Sequence, residues 1–258
     1  MTDLLSTYII HQADNALILG HRNSEWTGHG PILEQDIALS NIALDLIGQA
    51  RNFYQLAAAR INKLNPGESI TEDDLAYLRD EIEFRNCILV EQENGDWAKT
   101  ILRQFYFSNY QFLLYKELLN SQYPEIAAIC EKSIKETRYH VKWSSEWVIR
   151  LGDGTEESHA RMLDAQLVLN PWIPELFTPA DFDYEAEATG SGILPEQIKT
   201  EWYQLVNRVF ETATLPVLSS EKKPMQIQSG KNGVHSERLG SLLAEMQFLQ
   251  RTYPGNSW

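Results

Sequence analysis

Apolar residues recur along most of this chain at intervals of three and four, the mark of helices with one side turned inward. Over 3–20, Leu4, Tyr8, Ile9, Gln12, Ala16 and Leu19 share a face, and Gly20 is placed to end the helix. The clearest pattern runs over 32–60. There Leu33, Ile37, Leu44, Gly48 and Arg51 form a narrow stripe, edged by Glu34, Asn41, Asp45 and Asn52, and Pro31 suits the first turn. Thr71-Glu72-Asp73-Asp74 caps and opens a predicted helix over 73–93, and Asp96 caps an aromatic one over 97–120. Further helices are expected from Pro124 to Arg150, from Thr155 to about 169, from Pro195 to about 213, and over about 236–252. Prolines and glycines make 170–194 read as an irregular excursion and 216–235 as a loop. No strand alternation and no internal repeat compete with this. Long helices joined by short turns predict an all-α antiparallel bundle with additional helices, in a single domain over 1–258.

Composition narrows the picture without changing it. Hydrophobic residues make up 43 % of the 258 and charged ones 22 %, ordinary for a globular protein. No apolar run approaches the ~20 residues of a membrane span. Met1-Thr2-Asp3-Leu4 has no basic segment ahead of a greasy stretch, so a cytoplasmic protein without a secretory signal is expected. Cys87 and Cys130 both fall in helical patterns and read as buried free thiols. A net charge of −14 argues against nucleic acid and against anionic membranes as partners.

A long bundle raises the question of metal. A carboxylate-bridged di-iron centre needs a Glu from each of two helices and a Glu-x-x-His pair from each of two others. One such pair exists, Glu156 with His159, at a helix start where acids are expected on dipole grounds alone. Glu136 and His140 are four apart instead, beside Lys135 and Arg138. We read Glu34, Asp45, Lys135, Glu136, Arg138 and His140 as a structural charge network in place of a metal, with a surface ion pair as the plainer account of the 135–140 cluster and a ligand set as the least favoured. No metal ligand, catalytic residue or cofactor-binding residue is expected of this chain. The aromatic run Phe105-Tyr106-Phe107, with Tyr110, Phe112 and Tyr115, suits bundle core or a partner contact better than a cofactor pocket. Neither a phosphate-cradling glycine loop nor a Gly-x-Ser-x-Gly nucleophile elbow is present.

Several stretches carry a resemblance. They are Glu34-x-Asp36-x-Ala38-Leu39 through Asn41-Ile42 into Leu44-Asp45-Leu46-Ile47-Gly48-Gln49-Ala50-Arg51-Asn52-Phe53; Arg79-Asp80-Glu81 with Phe84 and Asn86; Leu89-Val90-Glu91-Gln92; Ile134-Lys135-Glu136 with Arg138-Tyr139-His140; and Leu243-Ala244-Glu245-Met246-Gln247. In this order they make the chain resemble the C subunits of the bacterial 1,2-phenylacetyl-CoA epoxidases of aerobic phenylacetate catabolism. The resemblance implies a ferritin-like fold with no iron of its own. It also implies a role in holding the homologous catalytic A subunit, which carries the di-iron centre. Other subunits, including a reductase, bring electrons from NADPH, and one oxygen atom of O₂ is inserted into the ring of phenylacetyl-CoA. A homodimer of the isolated chain is a further implication, as is contact with the CoA thioester through Glu83, Phe84, Arg85 and Asn86. The family's second contact segment falls at Tyr184-Glu185-Ala186, where this sequence departs from the pattern. From charge alone, Lys222, Lys223 and Lys231 read as a solvated basic loop, with CoA phosphates as the alternative ligand. The competing functional readings are a ferritin-like di-metal oxygenase or iron-binding protein in its own right.

Overall fold

The computed structural model describes residues 3–67, 69–220 and 229–256, and among them it contains helices and no β-strand. The chain divides into two compact units. The first comprises Met1–Glu91, Ala180–Glu185 and Gln228–Trp258, the second Gln92–Pro179 and Ala186–Ile227.

The first unit is built on α1 (Leu4–Ser24) and α2 (Leu33–Leu64). Asp3 caps α1 by accepting from the Ser6 N–H at 3.0 Å. The two helices run antiparallel. Asp3 pairs with Arg60, Asp14 accepts from Tyr54, and Gly20 lies where an added Cβ would come 3.3 Å from the Ala43 carbonyl oxygen. Gly20 therefore continues the helix and sets the closeness of its packing rather than ending it.

Helix α2 turns the opposite way from the stripe that stands out in its sequence. Leu39, Ile42, Ala43, Leu46, Ala50, Phe53, Tyr54 and Ala57 are buried, whereas Leu33, Ile37 and Leu44 are 73 %, 52 % and 67 % exposed. Two apolar stripes share this helix, and the one bearing Phe53 and Tyr54 buries more area.

The helix expected over 73–93 is interrupted. It becomes α3 (Glu72–Tyr77), a 3-10 turn over Glu81–Glu83, and α4 (Ile88–Glu91). Thr71 and Asp74 form the reciprocal cap that the sequence advertises. The break follows because 84–87 finds better partners than its own helix: Arg85 N–H donates to Asp14 and Cys87 N–H to Asn15, both side chains of α1.

The second unit pairs α5 (Trp97–Leu118) with α6 (Pro124–Gly152), also antiparallel, since Trp97 meets Trp147 near one end and Arg138 lies over Phe112 toward the other. α7 (Glu156–Leu169) follows, capped by Thr155. The stretch 170–194 is largely helical, with α8 (Ile173–Leu176) in this unit and α9 (Asp181–Ala188), of which 181–185 belong to the first. Pro171 and Pro174 stand at helix starts, where their missing N–H costs nothing. α10 (Lys199–Thr212) carries Trp202 and Phe210 onto the aromatic run: Trp202 donates its indole N–H to the Tyr106 carbonyl at 3.0 Å, and Phe210 lies 6.0 Å from Phe105. Those aromatics fill the core of this unit. In the first unit, the predicted terminal helix is two, α11 (Glu237–Met246) and α12 (Phe248–Thr252).

The register of α2 makes a direct prediction. Leu46→Ala should cost ~2–5 kcal/mol of unfolding free energy, as truncation of a buried leucine does, while Leu44→Ala stays within ~0.5 kcal/mol. Equal losses in urea denaturation midpoints would place the helix in the other phase.

Candidate functional site

The first unit contains a connected set of buried charged and polar side chains that no stretch of sequence holds together. Helix α1 supplies His11, Asp14 and Asn15, all within little more than one turn and all at most 1 % exposed. Asp14 is the centre of the set. Its two carboxylate oxygens accept from both terminal nitrogens of Arg79, from the Tyr54 hydroxyl, and from the Arg85 N–H at 2.7 Å. Arg79 directs its other donors to the carbonyls of Leu75 and Glu83, and its guanidinium stacks 4.2 Å above the Phe84 ring. Burial opposes the charge on Arg79, but Asp14, with smaller help from Tyr54 and Glu83, more than offsets it and holds the group above its ordinary pKa. Burial and the neighbouring Asp14 charge push the Tyr54 hydroxyl well above its usual value, so it stays a donor.

His11 lies 2.5 Å from the Arg85 carbonyl through Nδ1 and stacks on Phe182, with ring centroids 5.0 Å apart. Burial, reinforced by the Lys231 charge, lowers its pKa to about 4. The ring is therefore neutral near pH 7. Nδ1–H donates to Arg85, and Nε2 accepts from Asn15 at 3.2 Å.

Two more ion pairs complete the set. Glu91, fully buried on α4, accepts from His235 at 3.1 Å, Asn86 at 3.2 Å and the Ser236 N–H at 2.7 Å. The other His235 nitrogen reaches the Phe84 carbonyl at 3.0 Å. Burial works against charge on this ring, and the Glu91 hydrogen bond and charge outweigh it, so the His235 pKa is raised. Asp183 on α9 accepts from Lys231 at 3.2 Å and from the Ala180 N–H at 2.8 Å. Each of the buried carboxylates Asp14, Glu91 and Asp183 thus has its own cation. Among the described residues no three His, Cys, Asp or Glu side chains are grouped so as to hold a metal ion.

Several sequence expectations change here. Lys231 is 1 % exposed and paired, not part of a solvated basic loop, while Lys222 and Lys223 lie outside the described residues. Within the second unit, Lys135 and Arg138 are exposed, Glu136 is half-buried and His140 is buried, so these four do not form a buried charge network. The reason is helical phase. α6 buries Ile126, Cys130, Ser133, Thr137, His140, Ser144 and Val148, and positions 135 and 138 point away from that line. In the first unit Glu34 is exposed and Asp45 half-buried on α2. His159, in the first turn of α7, lies 2.6 Å from the Gly152 carbonyl and so partners the carbonyl end of α6.

The segment Glu83–Asn86 is split by the fold. Phe84 and Asn86 are fully buried and serve the network, the first under Arg79 and the second against Glu91. Glu83 and Arg85 line an open cavity of about 330 Å³ together with Ile10, Ile61, Leu78 and Arg79.

A family model described as phenylacetic acid catabolic protein matches residues 1–258. The chain belongs to that family. Among its relatives, the protein named as the C subunit of 1,2-phenylacetyl-CoA epoxidase of Escherichia coli K12 is 42 % identical over 254 residues, covering 98 % of this chain and 99 % of that one. The fold is accordingly the ferritin-like helical fold of the family. No described helix is long and apolar enough to cross a membrane.

Two predictions come from the network. Arg79→Met leaves Asp14 buried without its cation and should cost ~3–5 kcal/mol, whereas Arg138→Ala, on the surface, should stay within ~0.5 kcal/mol. The comparison is made by chemical denaturation, and similar losses would refute the assignment of the buried pair. Stability should also peak near pH 6.5. The His235 contribution is complete below the unfolded value of ~6.5 and fades as pH rises through its higher folded value. His11 resists protonation in the fold, so stability falls as pH drops from ~6.5 to about 4, by about 3 kcal/mol at ~1.4 kcal/mol per pH unit. Melting curves of His235→Gln should lose the alkaline arm; an unchanged pH profile would contradict the pairing with Glu91.

Proposed function

We propose that this chain is the non-catalytic C subunit of a multicomponent 1,2-phenylacetyl-CoA epoxidase acting in the cytoplasm. It holds the catalytic di-iron A subunit in working shape and contributes to the surface that receives the CoA thioester. The observation that carries this reading is the one-to-one matching of Asp14, Glu91 and Asp183 with Arg79, His235 and Lys231. Bridging carboxylates of a di-iron centre must be free to bind cations, and these are already neutralised by side chains. In this reading the iron belongs to the catalytic partner, where it supplies O₂ activation with electrons passed from NADPH through the reductase. The present chain contributes rigidity. Its network ties α1, α2, the 79–91 segment and the 230–236 turn together through hydrogen bonds buried from solvent.

For the thioester, Glu83 and Arg85 are the accessible members of the family's contact segment, at the edge of the cavity beside α1. Arg85 donates to the carbonyls of Ile82 and Phe84, which fixes where its guanidinium stands. Phe84 and Asn86 act from beneath by holding that backbone in place.

Reconstitution tests the proposal. The purified chain, given a reductant, O₂ and phenylacetyl-CoA, should form no epoxide and contain no stoichiometric iron. Activity should appear once the remaining subunits are added, and should be lost when this chain alone is omitted. Turnover by the isolated chain, or a di-iron content with its oxo-bridge absorption, would sink the scaffold reading.

A further inference from the structure

The Arg85 guanidinium is anchored on one side and open on the other. Its Nη1 donates to the carbonyls of Ile82 and Phe84, both at 2.7 Å. The 230–236 turn closes over that nitrogen, since a Cβ added to Gly233 would come 3.0 Å from it. Among the described residues, Nε and Nη2 have no hydrogen-bond partner, and no carboxylate lies within ion-pair distance of Arg85. Burial lowers the Arg85 pKa, and the charges of Asp14 and Glu83 offset only part of that. The group has thus given up water without gaining an anion. The edge left open is the one that grips a carboxylate through two parallel hydrogen bonds.

The cavity that Arg85 lines is otherwise short of free donors. Ile10, Ile61, Ile70, Leu75 and Leu78 give it an apolar wall. Thr7 donates its hydroxyl to the Asp3 carbonyl at 3.0 Å, and Arg79 is taken up by Asp14, Tyr54 and two carbonyls. Two acids share the lining. Asp74 holds the Thr71 N–H and hydroxyl, both at 2.8 Å, and Glu83 holds the Asp80 N–H at 2.7 Å. Their charges set an upper limit: Arg85 can match one negative charge here, and a phosphate dianion meets net repulsion. At about 330 Å³ the cavity has the volume of roughly ten water molecules, enough for an aryl or short alkyl group.

We propose that this cavity binds a small organic monocarboxylate, its carboxylate on Nε and Nη2 of Arg85 and its aryl or alkyl body against the isoleucines and leucines of the wall. The site shares Arg85 and Glu83 with the thioester reading but does not depend on it, because the ligand is a free acid without phosphates. The Arg85 N–H is tied to Asp14 and its Nη1 to two carbonyls, so little order is lost on binding. A ligand of about ten non-hydrogen atoms then has a Kd on the order of 0.1–1 mM.

Equilibrium dialysis of the full chain against 3-phenylpropanoate near pH 7 tests this, with 3-phenylpropan-1-ol and inorganic phosphate as comparison ligands. The acid should bind in that range, the alcohol at least ~10-fold more weakly, and phosphate not measurably below ~10 mM. Arg85→Met should weaken binding of the acid at least ~10-fold, and Arg85→Lys should recover little of the loss, since an ammonium has no two-donor fork. Glu83→Gln should tighten it ~2–5-fold, by removing a like charge while keeping an acceptor for the Asp80 N–H. Leu78→Glu, at a lining position 49 % exposed where the fold is spared, should weaken it with Arg85 intact. Equal affinity for acid and alcohol, phosphate bound as tightly as the acid, no binding up to ~10 mM, or affinity unchanged by Arg85→Met would each overturn the proposal.

Discussion

A carboxylate buried on α1 dictates much of the first unit. Asp14 is fully removed from water, and an uncompensated charge there would cost several kcal/mol. Its four donors come from α2, from Arg79 beyond α3, and from the backbone of Arg85. To deliver Arg79 and the Arg85 N–H to one carboxylate, the chain has to leave the helix after Tyr77 and run extended past α1. His11 and Asn15, on the same stretch of α1, take the next backbone groups of that segment. Three polar side chains on little more than one helical turn thus stand in for the helical hydrogen bonds that 79–87 gives up. The same logic recurs at Glu91 and Asp183, whose cations His235 and Lys231 come from far along the chain and bring the 230–236 turn back onto the early helices.

Much of the helical scaffold was legible because caps and periodicity agree. Asp96, Pro124 and Thr155 begin α5, α6 and α7 where the sequence places them. Agreement fails where two signals compete within one element. α2 carries two apolar stripes, and periodicity alone does not say which one the chain keeps for itself and which it leaves exposed. The 73–93 segment has strong helical period, yet the hydrogen bonds offered by α1 outweigh it. The 170–194 stretch reads as irregular because its prolines look like breakers, when Pro171 and Pro174 stand at the first turns of short helices.

The polar network was less legible for a different reason. Scanning for ligands or ion pairs finds partners three or four residues apart, and that is what singled out Lys135, Glu136, Arg138 and His140. The pairs that the fold buries are separated by 65 residues for Arg79 with Asp14, 144 for His235 with Glu91, and 48 for Lys231 with Asp183. No local pattern registers such distances. The family stretches did contain some of the partners, Arg79 and Glu91 among them, but as isolated matches without a reason. Lys231 misled most, because a lysine beside glycines has the composition of a solvated loop and acquires its role from an aspartate on another helix.

The saturation of these carboxylates gives the scaffold reading its chemical content. Each oxygen of Asp14 already accepts two hydrogen bonds, and Glu91 accepts from three donors over its two oxygens. A metal ion entering either site would have to displace several donors at once and strand a buried guanidinium or imidazolium as it did so. Ion pairs of this kind add little stability over a well-packed apolar core, so their worth lies in what they specify. Here they join α1, α2, the 79–91 segment and the 230–236 turn through directional bonds, which apolar contacts do not supply. Under the scaffold reading, holding another protein in shape calls for such rigidity, and side-chain ion pairs supply it without dependence on metal supply or oxidation state.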